Sequence, residues 1–337
     1  MGHWTFLTSM RKIATLDSAF VVRIATFHFC MEVRSMLVED FAREVSGGSF
    51  GDLRLNKRSR MLAEALAKKP NMSIPAALGG KADIAGCYRF FNNEKVSPDQ
   101  ILQPHVEATY QRINAVDFVL LVQDTTEIDL TRPEQQVDGA GPMDCESRRG
   151  AFFHPTMAFD ASGVPLGIVG QQSWTREEIS SDSKAEKNKK RKQTPINEKE
   201  SFRWLQGLQY AERTAAACPE TTCVCVGDSE ADIYDVFAAA TTSEHGNLHL
   251  LVRAGQKRNT TDGQDWYDQV RETAMVAEQT ITIRPRKAKI GTGKSARSRS
   301  RKGRTARIEI RKTTIELCRP GTADKRLPKS ITVNVVL

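Results

Sequence analysis

The fold is decided by the stretch Phe118-Val119-Leu120-Leu121-Val122-Gln123-Asp124-Thr125-Thr126. Its five consecutive apolar residues are typical of a β-strand that is buried on both faces, and Asp124 follows almost directly. A second stretch, Thr222-Cys223-Val224-Cys225-Val226-Gly227-Asp228, has the same pattern. If the two strands are neighbours, their terminal carboxylates lie about 5 Å apart, which is one interstrand spacing. A divalent metal ion is the usual partner of two carboxylates this close, so we predict that Asp124 and Asp228 hold a catalytic metal.

The residues alone leave a second interpretation of the two aspartates open. An aspartate that follows a strand is also a common helix cap or a partner of loop N–H groups, and the spacing does not distinguish these roles from metal binding. Other polar residues nearby favour structural roles. Asp232 and Asp235 are expected on the surface of a helix near its N-terminus, where the helix dipole favours acids. His154 is expected to be structural rather than a metal ligand.

The composition is that of a globular chain with more than one domain. A length of 337 residues exceeds one ordinary core and predicts two or three domains. The net charge of +8 comes from clustered basic residues, which favours a polyanionic partner.

The seven cysteines show no zinc-site spacing. Cys223 and Cys225 alternate along a predicted strand, which indicates core residues in a reduced, cytosolic setting. No stretch reaches the roughly 18 apolar residues of a membrane span, and no convincing signal peptide is present.

The first third of the chain contains an N-terminal extension and a predicted helical segment. Residues 1–36 are expected to be a poorly structured extension or to follow a mis-assigned start. Residues 37–105 are predicted as helices, two of which begin at Ser73-Ile74-Pro75 and Ser97-Pro98-Asp99. This segment is either a DNA-binding module or a small helical domain with a solvated basic face.

Residues 106–276 alternate strands and helices. After the strand that ends before Asp124, two strands joined by Ala161-Ser162-Gly163 form a predicted hairpin. Residues 175–196 are expected to be a lysine-rich loop, and Asn197 is expected to cap the helix that follows. The resulting order of strand, strand, strand, helix, strand, helix, strand is that of the RNase H-like fold.

Residues 277–337 have a basic, β-rich character. Alternating apolar and polar residues predict four strands, at residues 279–283, 306–310, 314–317 and 330–337. Between Arg284 and Lys312 the sequence holds thirteen Lys or Arg residues and a single acid, Glu309. The whole chain is therefore predicted as an α/β protein with a helical N-terminal domain, a mixed core and a basic β-rich segment.

Several motifs, taken in order, resemble those of one family. They are Gly51-Asp52-Leu53-Arg54-Leu55-Asn56-Lys57-Arg58, Ser73-Ile74-Pro75 with Gly79-Gly80, Tyr88-Arg89-Phe90-Phe91-Asn92-Asn93, Gln123-Asp124-Thr125-Thr126, Arg149-Gly150-Ala151-Phe152-Phe153-His154, Glu198-Lys199-Glu200-Ser201 with Trp204, and Gly227-Asp228-Ser229-Glu230-Ala231-Asp232-Ile233-Tyr234. In their order and spacing, residues 37–337 resemble the bacterial insertion-sequence transposases of the DDE class. The resemblance is to the cut-and-paste group that includes the transposon-five enzyme.

The resemblance implies an N-terminal helical domain that binds transposon ends, an RNase H-like catalytic core and a β-rich insertion subdomain. It implies that Asp124 and Asp228 are the first two catalytic, metal-binding carboxylates, with Mg²⁺ as the cofactor and Mn²⁺ as its substitute. The third acid of the family is a glutamate in a tyrosine–arginine–glutamate–lysine pattern, which nothing in this sequence matches. The insertion at 277–337 is expected to be truncated before that glutamate. Ser229 stands where the family commonly has arginine, which removes a cation beside the metal site.

Double-stranded DNA, as transposon ends and as target DNA, is the partner that the resemblance implies, and a homodimer is expected in the synaptic complex. The protein is expected in the bacterial cytoplasm, associated with the nucleoid, and not in a membrane.

Most contacts with DNA should be to phosphates. For Tyr88, packing in the small helical core is an equally valid interpretation. The candidate DNA-binding residues are Arg54, Lys57, Arg58, Arg60, Tyr88, Arg89, Arg253, Lys257 and Arg258.

The predicted function is that of a cut-and-paste DNA transposase, which cleaves phosphodiester bonds and transfers strands with two metal ions. This chain alone is expected to perform the reaction incompletely. The first alternative is a non-catalytic, truncated transposase that binds transposon ends and inhibits transposition. A more distant alternative is a metal-dependent, structure-selective nuclease on the same core, which predicts cleavage of DNA without end sequences.

Overall fold

The protein is described by a computed structural model that covers residues 44–132, 134, 137–145, 147–177, 183–288 and 300–337. The extension predicted at 1–36 lies outside these residues. The chain divides into two compact units. The described part of the larger unit contains residues 44–256 and 322–327, and the smaller unit contains residues 257–321 and 328–337, each with the gaps given above. Both helices and sheets are present, which confirms the mixed α/β character.

Four helices open the larger unit, and their ends follow from local sequence signals. They are α1 (Leu53–Lys68), α2 (Ile74–Leu78), α3 (Lys81–Phe91) and α4 (Pro98–Ile113). Both predicted helix starts are confirmed, with Ser73 and Ser97 as the N-caps. Ser97 forms a capping box with Gln100, in which each side chain satisfies a backbone N–H group of the first turn. Gly79 ends α2 in a left-handed conformation (φ 74°) that favours glycine.

A small apolar core holds the first three helices together. Phe50, Leu62, Cys87 and Phe90 are each no more than 4% exposed, and the rings of Phe50 and Phe90 meet edge to face at 5.3 Å. Burial of one large apolar side chain contributes about 1.5–3 kcal/mol. This cluster is therefore sufficient to fix α1 against α3.

One mixed sheet forms the centre of the larger unit. Its strands are β1 (Phe118–Gln123), β2 (Thr126–Asp129), β3 (Gly141–Pro142), β4 (Arg149–Asp160), β5 (Pro165–Trp174), β6 (Thr222–Gly227) and β7 (Leu248–Val252). Through the middle of the sheet the order is β5-β4-β1-β6-β7. The first two pairings are antiparallel and the last two are parallel. The predicted hairpin between β4 and β5 is confirmed, and Gly163 supplies its left-handed turn residue (φ 81°).

After β1 the chain breaks for two residues and then pairs with β4 again as β2. β1 pairs with β4 up to Gln123, and β2 resumes pairing with the same strand at Thr126. Asp124 and Thr125 occupy the break. These two residues leave the regular ladder, which frees their polar groups for other contacts.

The helices that follow β5 differ in part from the prediction. Residues 175–196 were expected to form a loop, but they contain helix α5 (Lys184–Gln193). The loop prediction was wrong because it relied on the lack of apolar residues. The capping box of Ser183 with Glu186 and the helix propensity of Lys, Arg and Gln are sufficient to start and continue a solvated helix.

Asn197 does not cap the next helix. It lies in a 3-10 turn, Ile196–Glu198, and α6 (Phe202–Ala217) begins only after Ser201. Helix α7 (Tyr234–Thr242) follows β6. No described helix combines the length and the apolar character that a membrane span requires.

The main core lies between α6 and the sheet. Along α6, the side chains of Trp204, Leu208, Ala211 and Ala215 recur on one face, and each is no more than 1% exposed. They pack in one cluster with apolar residues of the central strands, among them Val119, Leu121, Cys223 and Cys225. The prediction that both cysteines are core residues is confirmed. Burial raises the pKa of each thiol to about 12, so both remain protonated and unreactive at neutral pH.

The smaller unit is a three-stranded antiparallel sheet with one helix. Its elements are α8 (Trp266–Glu272), β8 (Met275–Ile283), β9 (Arg304–Cys318) and β10 (Ser330–Val336), with the sheet order β10-β9-β8. Four strands were predicted here, and that number is wrong for the described residues. Strand β9 runs without a break through Arg311, Lys312 and Thr313, because pairing with β8 on one side and β10 on the other continues across these polar residues.

Candidate active site

The two aspartates of the predicted metal site follow neighbouring parallel strands. The register of β1 and β6 pairs Val122 with Val226, and Asp124 and Asp228 each follow two residues later. Adjacent strands are about 4.8 Å apart. The expected adjacency of the two strands is confirmed, whereas metal binding by the aspartates stays a prediction.

Each of the two carboxylates is held by a backbone N–H group close to it in sequence. Oδ1 of Asp124 accepts from the N–H of Thr125 at 2.8 Å, and Oδ1 of Asp228 accepts from the N–H of Glu230 at 2.8 Å. Asp228 is thus also the cap of a 3-10 turn, Ser229–Ala231. Both side chains are exposed. A carboxylate has about four acceptor sites, so capping and metal binding are compatible.

The donor chemistry of this pair fits a hard divalent cation. Mg²⁺ is typically held by one or two carboxylates together with waters and substrate phosphates. Across the described parts of the chain, no three or more His, Cys, Asp or Glu side chains are grouped so as to hold a metal ion. Metal binding by Asp124 and Asp228 would therefore rest on two carboxylates among the described residues, and it stays a prediction.

An arginine of α6 connects the two segments that carry the aspartates. Nε of Arg203 donates to Oγ1 of Thr125 at 2.9 Å, and its terminal nitrogen Nη2 donates to a carboxylate oxygen of Glu230. The side chain of Arg203 is only 12% exposed. Thr125 and Glu230 provide the N–H groups that bind the carboxylates of Asp124 and Asp228. The guanidinium group of Arg203 therefore links the two residues that support the aspartates.

A chain of buried polar groups lies beneath Thr125. Its Oγ1 is 2.9 Å from Nδ1 of His154, and Nε2 of His154 is 3.2 Å from Oε1 of Gln123. Nε2 of Gln123 donates to Sγ of Cys225 at 2.9 Å. Burial, together with the nearby charge of Arg203, lowers the pKa of His154 to about 4. His154 is therefore neutral at physiological pH and lies within the core, as a structural histidine does.

Asp232 is not a surface acid, and that prediction is wrong. It is 5% exposed, and one oxygen of its carboxylate accepts the N–H groups of Gly255 and Gln256, both at 2.7 Å. It fixes the chain just after β7 to the segment after β6. Asp235 lies in the first turn of α7 and is half-buried.

The basic residues of α1 differ in what their side chains contact. Arg54, Lys57 and Arg60 are exposed. The guanidinium group of Arg58 is 3.1 Å from the carboxylate of Asp83 and packs over Gly86 of α3. Arg58 therefore links α1 to α3, while Arg54, Lys57 and Arg60 face solvent.

Tyr88 and Arg89 are exposed on α3. The side chain of Tyr88 is 49% exposed and does not belong to the apolar cluster around Phe90. The packing interpretation of Tyr88 is thus not supported. Contact with DNA stays a prediction for both residues.

Arg253 lies at the same edge of the sheet as the aspartates. Its N–H donates to the carbonyl of Gly227 at 3.1 Å, directly beside Asp228. Lys257 and Arg258 belong to the smaller unit, where Lys257 is exposed and Arg258 is half-buried.

The comparison with protein families bears on the helical part of the chain. Residues 40–96 match the family model described as transposase DNA-binding. This match supports a transposase and DNA as its partner, and it spans α1, α2 and α3 with their exposed basic side chains. No curated protein matches the chain.

Sequence reasoning missed two residues of the site. Thr125 belongs to the motif Gln123-Asp124-Thr125-Thr126, but the resemblance assigns it no role. Arg203 lies between Ser201 and Trp204 of another motif, and the sequence predicts no function for it. The available signal was a single arginine in the first turn of a helix, where a cation is unfavourable to the helix dipole and implies a specific partner.

Proposed function

We propose that this chain is a DNA transposase of the cut-and-paste insertion-sequence type, in which Asp124 and Asp228 hold Mg²⁺ for phosphodiester cleavage and strand transfer. The observation that carries the proposal is the parallel pairing of β1 with β6, in which Val122 pairs with Val226, two residues before Asp124 and Asp228. It occurs in a chain whose residues 40–96 match a transposase DNA-binding family.

The order of the central strands supports an RNase H-like core of the DDE class. Three antiparallel strands, β5, β4 and β1, are followed by the parallel strands β6 and β7. The two acids follow β1 and β6, which are neighbouring parallel strands in this order. The basic β-rich segment of the smaller unit corresponds to the insertion of that family.

The site residues have separate proposed roles in phosphoryl transfer. When bound, divalent ions would activate the attacking water or 3′-hydroxyl and stabilise the leaving oxygen. Asp124 and Asp228 present exposed carboxylate oxygens that would hold these ions. Arg253, beside Asp228, offers a cation for a DNA phosphate at the same edge.

DNA binding is proposed for the exposed cations of the helical domain. Arg54, Lys57 and Arg60 on α1, and Arg89 on α3, are exposed and fit phosphate contacts that position a duplex. Transposon ends and target DNA are the proposed substrates. A homodimer that pairs two ends is the proposed synaptic complex.

Metal titration tests the proposal. Isothermal titration of the full chain with Mn²⁺ is expected to show binding that Asp124→Ala and Asp228→Ala each abolish. Glu220→Ala changes an exposed acid in the turn before β6 and serves as the control, with unchanged binding expected. Wild-type protein that takes up no Mn²⁺, or binding that survives both aspartate substitutions, would remove the proposed metal site.

A second candidate function is a non-catalytic protein that binds transposon ends and inhibits transposition. It is favoured by the lack of a third acid beside Asp124 and Asp228 among the described residues. Co-expression with an intact transposase of matching end specificity distinguishes the two. An inhibitor lowers excision frequency, whereas an active enzyme raises it or leaves it unchanged.

A further inference from the structure

We propose that Arg203 and Thr125 are positioning residues that fix the spacing of the two aspartates, and that His154 orients the hydroxyl group of Thr125. The inference rests on the proposed metal-binding function of Asp124 and Asp228. It adds three residues that act on the metal ligands without binding the metal themselves.

The first step is the connection between the two supports. The N–H of Thr125 holds Asp124, and the N–H of Glu230 holds Asp228, each at 2.8 Å. Arg203 donates to the side chains of both Thr125 and Glu230. A guanidinium group is a planar, rigid fork, so it sets the distance between the two groups that it binds. The separation of the carboxylates is thereby coupled to one side chain of α6.

The second step is the direction of each hydrogen bond. Arginine only donates, so Oγ1 of Thr125 accepts from Arg203 and its own hydrogen is directed to Nδ1 of His154. Nδ1 is then the acceptor of a neutral imidazole, and Nε2–H donates to Oε1 of Gln123. The amide of Gln123 donates in turn to Cys225. Each group in the chain has one role, which leaves Thr125 with a single orientation.

The third step is the burial of His154, which accepts the hydrogen bond from Thr125. His154 is 0% exposed and lies against the ring of Trp204, with ring centroids 4.7 Å apart at 82°. Burial lowers the pKa of His154 and keeps the imidazole neutral, which supports the acceptor role of Nδ1. The position of Thr125 is therefore set from within the core.

The consequence is measurable as metal affinity. Loss of a side chain that orients a metal ligand typically weakens metal binding 10–100-fold. A purely structural role for the same side chains predicts reduced thermal stability with unchanged affinity. The two roles are separated by measuring both quantities on the same metal-free and Mn²⁺-loaded full chain.

The test compares Thr125→Val, Thr125→Ser and Arg203→Gln by calorimetric titration with Mn²⁺. We expect Thr125→Val and Arg203→Gln to weaken binding about 10–100-fold, and Thr125→Ser, which keeps the hydroxyl, to restore affinity close to that of the wild type. Thr214→Val is the control, since it removes a threonine hydroxyl that is buried and donates to the Tyr210 carbonyl within α6. It should lower stability and leave Mn²⁺ affinity unchanged.

The outcomes separate this inference from the function on which it rests. Wild-type affinity in both Thr125→Val and Arg203→Gln, with binding still lost in Asp124→Ala, would overturn the positioning role and leave the metal site intact. Failure of Thr125→Ser to restore affinity would also overturn the role of the hydroxyl. No Mn²⁺ uptake by the wild type would overturn the proposed function and this inference with it.

Discussion

Gly207 of α6 packs directly against the side-chain amide of Gln123 at the end of β1. A β-carbon at position 207 would overlap this amide, so glycine permits the close approach of helix and strand. Gly207 lies four residues after Arg203, on the same face of the helix. The contact therefore holds α6 at the depth from which Arg203 reaches Thr125.

Substitution of Gly207 by alanine is expected to lower stability by about 1–3 kcal/mol, because the added methyl group forces Gln123 or the helix to move. The same movement should weaken Mn²⁺ binding by displacing Arg203. Chemical unfolding followed by circular dichroism measures the first effect. Gly246→Ala is the control, since a β-carbon there meets no atom within 4 Å and φ is not positive. Equal stability of the two variants would contradict the packing argument.

Stability is expected to fall in acid through His154. Its folded pKa of about 4 is below the ordinary value of 6.5, so the unfolded chain binds more protons between these two values. The stabilisation is complete above pH 6.5 and is lost as the pH falls toward 4, by about 3 kcal/mol at most. Unfolding of the wild type and of His154→Gln at pH 7 and pH 4.5 measures this contribution. The other histidines are common to both proteins, so a pH dependence that is the same in both would exclude His154 as its source.

The matched DNA-binding domain is tied to α4 by an ion pair. Both terminal nitrogens of Arg112 donate to the carboxylate of Glu44 at 3.0 Å, and the side chain of Glu44 is only 10% exposed. Glu44→Gln should destabilise the protein by about 1–3 kcal/mol, because a partly buried guanidinium group loses its charged partner. Arg326→Gln, which breaks an exposed pair with Asp324, should cost less than about 1 kcal/mol. Thermal unfolding of both variants is the measurement, and a larger loss in Arg326→Gln would contradict the assignment.

Arg54 and Arg58 should behave differently in DNA binding. Arg54→Ala is expected to reduce the slope of log affinity against log salt by about 0.9, as for one lost phosphate contact, without affecting stability. Arg58→Ala should instead lower stability by up to about 1 kcal/mol, because it breaks the link to Asp83. Fluorescence anisotropy with one duplex over a range of salt concentrations measures the slopes. The same slope for Arg54→Ala and the wild type would exclude Arg54 from phosphate contact.

The sequence by itself determined the elements whose signals are local. The apolar run before Asp124 specifies a buried strand, because a chain with five successive apolar residues must hide both faces. Ser97 specifies a helix start, since its side chain accepts the free N–H of Gln100 in the first turn. Ser73 marks a helix start together with Pro75, whose fixed φ suits the first turn. Where local signals competed, as in the lysine-rich helix α5, the prediction failed.

Only the tertiary structure decided which distant residues meet. Arg203 and Thr125 are 78 residues apart, and their hydrogen bond depends on the sheet register and on the depth of α6. The burial of Asp232 likewise depends on where the chain turns after β7. The sequence around Asp232 carries no periodic signal that reveals this burial. A polar residue in a turn has the same local pattern whether it faces water or two backbone N–H groups. Long-range packing supplies that distinction, and with it the supports of the candidate active site.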